Sequence, residues 1–406
     1  MNVKSIALSE VAELNPPAPV LAADEEVSFV PMAAVSELGV MQVTEHARVA
    51  DLKSGYSYMR TGDVLVAKIT PCFENNKIAV ASLDRPHGYG STEFHVIRPH
   101  KEKLEARFLV HFLRQDQIRA TGERRMTGSA GQRRVPKQFL GELAIPLPPL
   151  DEQRRIAAIL DQADDLRRKR REALAALDDL SSSIVAIRLQ EMTAAKQFLV
   201  KLENFAEFLV GFPFQSSDYV DKGQGIALCR GANISPGRIN WEDTCYWPHD
   251  SVSDFEKYLL RAGDVLLAMD RPWISEGLKV ARLSADEPSC LLVQRVARLR
   301  PKSPGSSAFL LEVLKSRAFA NHCKLTETTI PHISPIDVRD FKIPCPTEAQ
   351  LREIACQIEM IDKLKAHHRA HLARLDALFA SLQHRAFRGD LSAPSFSRAR
   401  EKAAAP

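Results

Sequence analysis

Apolar residues recur along this chain with two different periods, and the stretches that carry them alternate. Between residues 151 and 190, apolar or small side chains fall at 156, 159, 163, 166, 173, 177, 180, 184 and 187, in steps of three and four with one gap at Arg170. That spacing keeps one face of an α-helix apolar for about four and a half heptads. A second run, at 354, 361, 364, 375, 378 and 382, has a more polar seam, because Gln357, His368 and His371 fall in it. Pro148-Pro149 and the pair Pro344 and Pro346 stop either helix from extending upstream. Asp151 is placed to cap the first helix, and Thr347 with Gln350 has capping-box spacing for the second. Helices of about 40 residues are roughly 60 Å long. A lone helix of that length cannot hide its seam from water. The two are therefore expected to pair with each other, antiparallel, placing their globular domains about a pseudo-two-fold axis.

The rest of the chain shows short apolar runs with turn residues between them. Val64-Leu65-Val66-Ala67, Ile78-Ala79-Val80-Ala81 and Phe94-His95-Val96-Ile97 read as strands. Val265-Leu266-Leu267-Ala268, Val280-Ala281 and Val296-Ala297-Arg298-Leu299 match them in the second half. Gly62-Asp63 and Gly263-Asp264 read as turns entering a buried strand, and short helices are expected at 106–115 and 307–320. Each globular segment is thus predicted to be mixed α/β with a largely antiparallel or irregular sheet.

The two halves are copies. Ile145-Pro146-Leu147-Pro148 returns 198 residues later as Ile343-Pro344-Cys345-Pro346, and the same offset pairs Ile156 with Ile354, Asp164 with Asp362, Leu166 with Leu364, Asp178 with Asp376 and Leu180 with Leu378 without a gap. The order is globular, helix, globular, helix. Such a chain presents two similar surfaces and suits a target that itself has two halves.

Local charge separates the copies. Residues 118–137 hold six basic residues and one acid among Gly, Ser and Thr. Read as a loop, this segment suits DNA: Arg grips guanine in two places, Gln reads adenine, and hydroxyls hold phosphate. A charged, solvated loop is the other reading. The candidates here are Arg124, Arg125, Thr127, Ser129, Gln132, Arg133, Arg134 and Lys137. The matching second-half segment, 324–334, is polar and barely basic, with Lys324, Thr328, Thr329 and His332 as candidates. Lys68, Lys77, Arg230, Arg271 and Lys279 lie near predicted strands or turns and complete the set. If both segments bind DNA, they read different sequences.

Overall composition adds bounds. The 406 residues suffice for two cores, 45% of them are hydrophobic, and a net charge of +4 permits nucleic-acid binding without requiring it. No apolar run reaches the roughly 20 residues of a membrane span, and Met1-Asn2-Val3-Lys4-Ser5 lacks a signal-peptide core, so a cytoplasmic location with no membrane partner is expected. The seven cysteines form no C-x-x-C pair and are expected to be free, mostly buried thiols.

Catalytic patterns are lacking. Asn15-Pro16-Pro17 is similar to the N-P-P-aromatic motif of amino-methyltransferases, but Ala18 stands where an aromatic would stack on a flipped base. No phosphate-binding loop, H-E-x-x-H or G-x-S-x-G is present. His367, His368 and His371 could place two imidazoles on one helical turn, but no third metal ligand is recognisable. No catalytic residue, metal or cofactor is assigned to the chain itself.

Gly62-Asp63-Val64-Leu65, Glu93-Phe94, Arg98-Pro99, the run from Ile145 to Ile156 containing Pro148-Pro149-Leu150-Asp151-Glu152-Gln153, and the ending Ala386-Phe387-Arg388-Gly389-Asp390-Leu391 resemble the specificity subunit of type I restriction-modification systems over nearly the whole chain. The second copy departs at Thr347-Glu348-Ala349-Gln350-Leu351, and again at Val296 and Ala297. The resemblance implies a non-catalytic reader of double-stranded DNA. It implies target recognition domains over 1–145 and 197–343, helical spacers over 146–196 and 344–391, and a disordered tail over 392–406. Two methyltransferase subunits and restriction-translocase subunits would be its partners, and the methyl donor, ATP and magnesium would be theirs. An adenine-specific DNA methyltransferase and a coiled-coil adaptor without DNA contact are the alternatives.

Overall fold

The computed structural model describes residues 5–43, 45–129, 131–275, 277–323 and 331–391. The chain forms two compact units, Met1–Glu172 with Ala370–Pro406, and Ala173–Arg369.

In the first unit the central sheet runs Ala12–Leu14, Phe94–Pro99, Val64–Ala67, Ile78–Val80, antiparallel throughout. All four residues of Val64–Ala67 are buried, and alternation explains why. Val64 and Val66 face a core shared with Phe108, Leu109, Leu140, Ile156 and Leu160, while Leu65 and Ala67 face one shared with Val30, Met59 and Phe94. A second sheet supplies that other layer, in the order Glu45–Arg48, Glu26–Val30, Gly88–Gly90, Ser57–Met59, with one parallel pairing.

The second unit repeats this plan. Its central sheet is Ala206–Val210, Val296–Pro301, Val265–Ala268, Val280–Arg282, and its other sheet, Cys245–Pro248, Gly225–Cys229, Cys290–Leu292, again has one parallel pairing. Val265 and Leu267 face the helical side; Leu266 and Ala268 face the other sheet.

The Gly-Asp turns have a structural role. Gly62 and Gly263 adopt φ of 95° and 92°, which favours glycine. Asp63 is buried, accepts the Arg60 N–H, and is gripped at both oxygens by Arg98 at 2.9 and 2.8 Å. Asp264 repeats this with Arg261 N–H and Arg300, both guanidinium contacts at 2.7 Å. These hydrogen bonds raise the pKa of Arg98 and Arg300.

The long helices are Leu150–Ala194 and Glu348–Arg388. Thr347 and Gln350 form the expected capping box, with reciprocal bonds of 2.8 and 3.3 Å. Asp151 does not cap the first helix. It lies inside the first turn and pairs with Arg154, while the Pro149 carbonyl accepts the first helical N–H groups. The other expected helices shift slightly, to Ala106–Leu113 and to two pieces, Ser307–Lys315 and Arg317–His322, separated where the Ser316 hydroxyl caps the second.

Within each unit the two helical segments run antiparallel. In the first, Arg167 and Arg171 donate to Asp376 at 2.6 and 3.1 Å, and Arg155 reaches the carbonyl of Leu391. In the second, Lys365 contacts Asp178 at 2.7 Å and Ser181 at 3.0 Å, and Arg188 pairs with Glu353. The 198-residue offset that relates the copies carries Arg167 to Lys365 and Asp178 to Asp376, so each unit holds one copy of the same interhelical ion pair.

These pairs shift the predicted seam. Leu166, Leu180, Ile187, Leu364 and Leu378 are about half exposed, whereas Ser181 and Lys365 are buried. Ile156, Ala163, Ile354 and Ile361 are buried as the seam predicts, but towards the middle of the helices the buried stripe lies one residue further on, at Ser181, Val185 and Lys365, where polar partners satisfy one another inside it. Three cysteines, Cys229, Cys290 and Cys323, are buried, three are half-buried and Cys356 is exposed, so the free thiols are less buried than expected.

Candidate nucleic-acid interface

At one end of the two inner strands of each central sheet, three chain segments are tied by the same backbone bonds. In the first unit Lys68 N–H donates to the Glu93 carbonyl (2.9 Å), Val135 N–H to Lys68 (2.8 Å) and Thr70 N–H to Arg133 (2.9 Å). In the second, Met269 N–H donates to Arg295 (2.9 Å), Ile333 N–H to Met269 (2.9 Å) and Arg271 N–H to Pro331 (2.8 Å). Isolated bridges Ile69–Arg134 and Asp270–His332 complete the match. Glu93 therefore corresponds to Arg295, Ile69 to Asp270 and Arg134 to His332. The backbone is held in common and the side chains differ.

In the first unit this frame gathers several predicted residues. Arg134 and Glu93 form a two-armed ion pair, with Nη2 at 2.7 Å and Nε at 2.9 Å, and the guanidinium's Nη1 donates to the Gln132 carbonyl. That pairing holds Glu93 below the usual carboxylate range against the opposing effect of burial, and raises Arg134. Thr127 and Arg134 pair through their backbones, and Thr127, Ser129 and Gln132 are exposed. The basic stretch is not one loop. Asp116–Arg125 is a helix, with exposed Arg124 and Arg125 in its last turn, and Lys137 begins another. Arg124 contacts Thr121, and Arg133 donates to the Glu123 carbonyl.

The remaining candidates are spread more widely. Lys77 and Lys279 are equivalents, their carbonyls accepting from Ala67 and Ala268. The Lys77 ammonium is tied to the Met32 carbonyl, and Lys279 is held below the usual lysine range by burial and then by Arg271. Arg271 is exposed, with φ of 43°. His332 lies in the frame, opposite Asp270. Arg230 lies at the end of the other sheet, hydrogen-bonded to the Asp243 carbonyl at 2.5 Å. Lys324, Thr328 and Thr329 fall outside the described residues. Asp270 and Arg295 belong to the frame and were not anticipated. Only the position of Arg295, just before a predicted strand and equivalent to Glu93, could have signalled it.

Residues 2–176 match the family described as the type I restriction modification DNA specificity domain. The type I restriction enzyme EcoAI specificity subunit of Escherichia coli is 30% identical over 459 residues, covering 88% of this chain and 78% of that protein. The chain belongs to the type I specificity subunits. Another member, the EcoEI specificity subunit of Escherichia coli, is 36% identical over 187 residues, 45% of this chain and 32% of that one. In fold, this specificity subunit is similar to a solved chain from work on complex assembly and conformational transition of the type I R-M system, with TM-score 0.50, 22% identity, and coverage of 96% and 98%.

The motif that resembles a methyltransferase has a structural part in this specificity subunit. Asn15, at φ of 52°, ends an edge strand and exchanges bonds with Val96, its side-chain oxygen accepting the Val96 N–H at 2.9 Å. Among the described residues, no group of three or more His, Cys, Asp or Glu is placed to hold a metal, and no helix is long and apolar enough to cross a membrane.

Proposed function

We propose that this chain is the sequence-reading, non-catalytic subunit of a type I restriction-modification complex, and that it binds a bipartite, asymmetric double-stranded DNA target. The observation that carries this reading is the repeated frame: one backbone arrangement, occurring twice, with unlike charged side chains. Such a pair reads two different half-sites. Residues 1–145 and 197–343 serve as target recognition domains, with 146–196 and 344–391 as helical spacers. In the first domain, Lys68, Arg124, Arg125, Thr127, Ser129, Gln132, Arg133, Arg134 and Lys137 contact DNA, and Arg124 and Arg125 hold phosphates. Lys77, Arg230, Arg271, Lys279, Lys324, Thr328, Thr329 and His332 complete the contact set.

Two methyltransferase subunits dock on the outer faces of the helices, restriction-translocase subunits join them, and the methyl donor, ATP and magnesium belong to those partners. The site of action is the cytoplasm. A methyltransferase reading would require the isolated chain to bind the methyl donor, which calorimetry detects directly.

The test is charge reversal of Arg124 and Arg125 to Glu, which leaves the Arg134–Glu93 pair intact. The complex with its methyltransferase subunit is expected to lose about tenfold or more in DNA affinity, with a shallower salt dependence. The loss should be equal for all sequences. Affinity and salt slope unchanged from wild type would leave the coiled-coil adaptor as the better account.

A further inference from the structure

We propose that Arg295, aimed by Asp270, is the guanine-reading residue of the second recognition domain; this rests on the DNA-reading function above. Arg295 stands where the first domain has Glu93, and Asp270 where it has Ile69. Both domains thus place a carboxylate–guanidinium pair on the same frame, but the second puts its arginine where the first has its acid, and its acid at the Ile69 position, leaving His332 where the first has Arg134. In the first domain the acid precedes the central strand and the arginine is Arg134. In the second the arginine precedes the strand and the acid follows the neighbouring one.

Folding gives no reason for an arginine at 295. Its φ is 69°, a left-handed conformation that is costly for a long side chain, and its side chain is 64% exposed. An exposed ion pair returns little stability. What the arrangement does provide is aim. Nη1 lies 3.1 Å from both Asp270 oxygens, which fixes one corner of the planar guanidinium. Nε and Nη2, the edge that matches O6 and N7 of guanine in the major groove, have no partner among the described residues. Arg271 and Lys279 lie beside Asp270 and leave the neighbourhood net positive, as a polyanion requires. By contrast, Arg134 has Nε and Nη2 occupied by Glu93 and donates from Nη1 to the Gln132 carbonyl.

The test uses the complex with its methyltransferase subunit and a library of randomised duplexes, selecting bound molecules for sequencing. Wild type is compared with Arg295→Ala, Arg295→Lys and Asp270→Asn. Both Arg295 variants are expected to lose about 10- to 100-fold discrimination at one guanine of one half-site, with the other half-site unchanged. Asp270→Asn should lose part of it. Replacing that guanine with 7-deazaguanine should weaken wild type and leave Arg295→Ala indifferent. Variants that still select the wild-type motif would overturn the assignment. So would a loss uniform across sequences, with a shallower salt slope and recovery in Arg295→Lys, which marks a phosphate contact. A wild-type complex that selects no sequence at all removes the DNA-reading function itself, and this proposal with it.

Discussion

His95 lies directly under the frame of the first domain, 6% exposed. Its Nε2 donates to the Val135 carbonyl at 2.8 Å, so its Nδ1 is left to accept from the Asn15 amide at 3.3 Å. The Asn15 amide cannot turn over, because its oxygen holds the Val96 N–H. A second proton on the ring would therefore face an N–H group. Burial depresses the His95 pKa first; the Val135 bond opposes this, Lys68 and Lys137 add to it, and Glu93 opposes it weakly. A folded pKa below the unfolded one, about 6.5, gives stability that is complete above that pH and is lost as pH falls through the folded value. Urea midpoints should therefore drop for wild type as pH falls below about 6.5, and less so for His95→Gln. An identical pH profile for the two proteins would exclude this role. At this scale the sequence marked Arg134 and its neighbours by charge alone. It could not mark Arg295, whose significance comes from backbone bonds to Met269, nor show that Arg134 is already paired.

Gln153 shows what one residue does for an element. It is fully buried where the first long helix begins. Its amide donates to the carbonyls of Lys103 and Pro148, both at 2.8 Å, and its oxygen accepts the Glu105 N–H at 2.9 Å. The helix start is thereby bound to the segment that opens the helix Ala106–Leu113. Gln153→Ala removes the partner of three part-buried backbone groups and should cost about 2 kcal/mol in thermal or urea unfolding. Leucine, which the second copy carries at the equivalent Leu351, should recover little of this at 153, because it leaves the same groups unpaired. A loss below about 1 kcal/mol would mean that water replaces the amide. The helices, their antiparallel pairing and the capping box were legible because periodicity and end signals are local. The phase of the seam was legible only in part: Ile156, Ala163, Ile354 and Ile361 are buried as predicted, while Leu166, Leu180, Leu364 and Leu378 are half exposed. A pattern of apolar positions cannot register Lys365 or Arg167 turning inward to meet an aspartate on the other helix.

For the whole molecule, the repeat assigns separate work to separate parts. Each unit has its own apolar cores, fed by alternate residues of its central strands and by segments of both helices. If the helices are the spacer, inserting or deleting whole heptads in both at matching places keeps the three-four stripe. The preferred gap between half-sites should then change while both half-site sequences stay the same. Methylation mapping of genomic DNA reads both quantities together, and an unaltered gap would sink the spacer role. A mixed α/β domain with a largely antiparallel sheet could be read from the strand runs; the second sheet, the strand order and the parallel pairing could not, since they depend on contacts between distant residues.

The frame at the ends of the inner strands has one more consequence. Its geometry is fixed by N–H and carbonyl groups, which every residue but proline supplies alike, while the outward side chains carry little of the core. On the proposed reading, a change such as that between Ile69 and Asp270 alters what is read while the backbone bonds of the frame stay the same. If the frame reads DNA as proposed, a lineage carrying such a chain can acquire a new DNA address by a few substitutions, and change one half of that address while keeping the other.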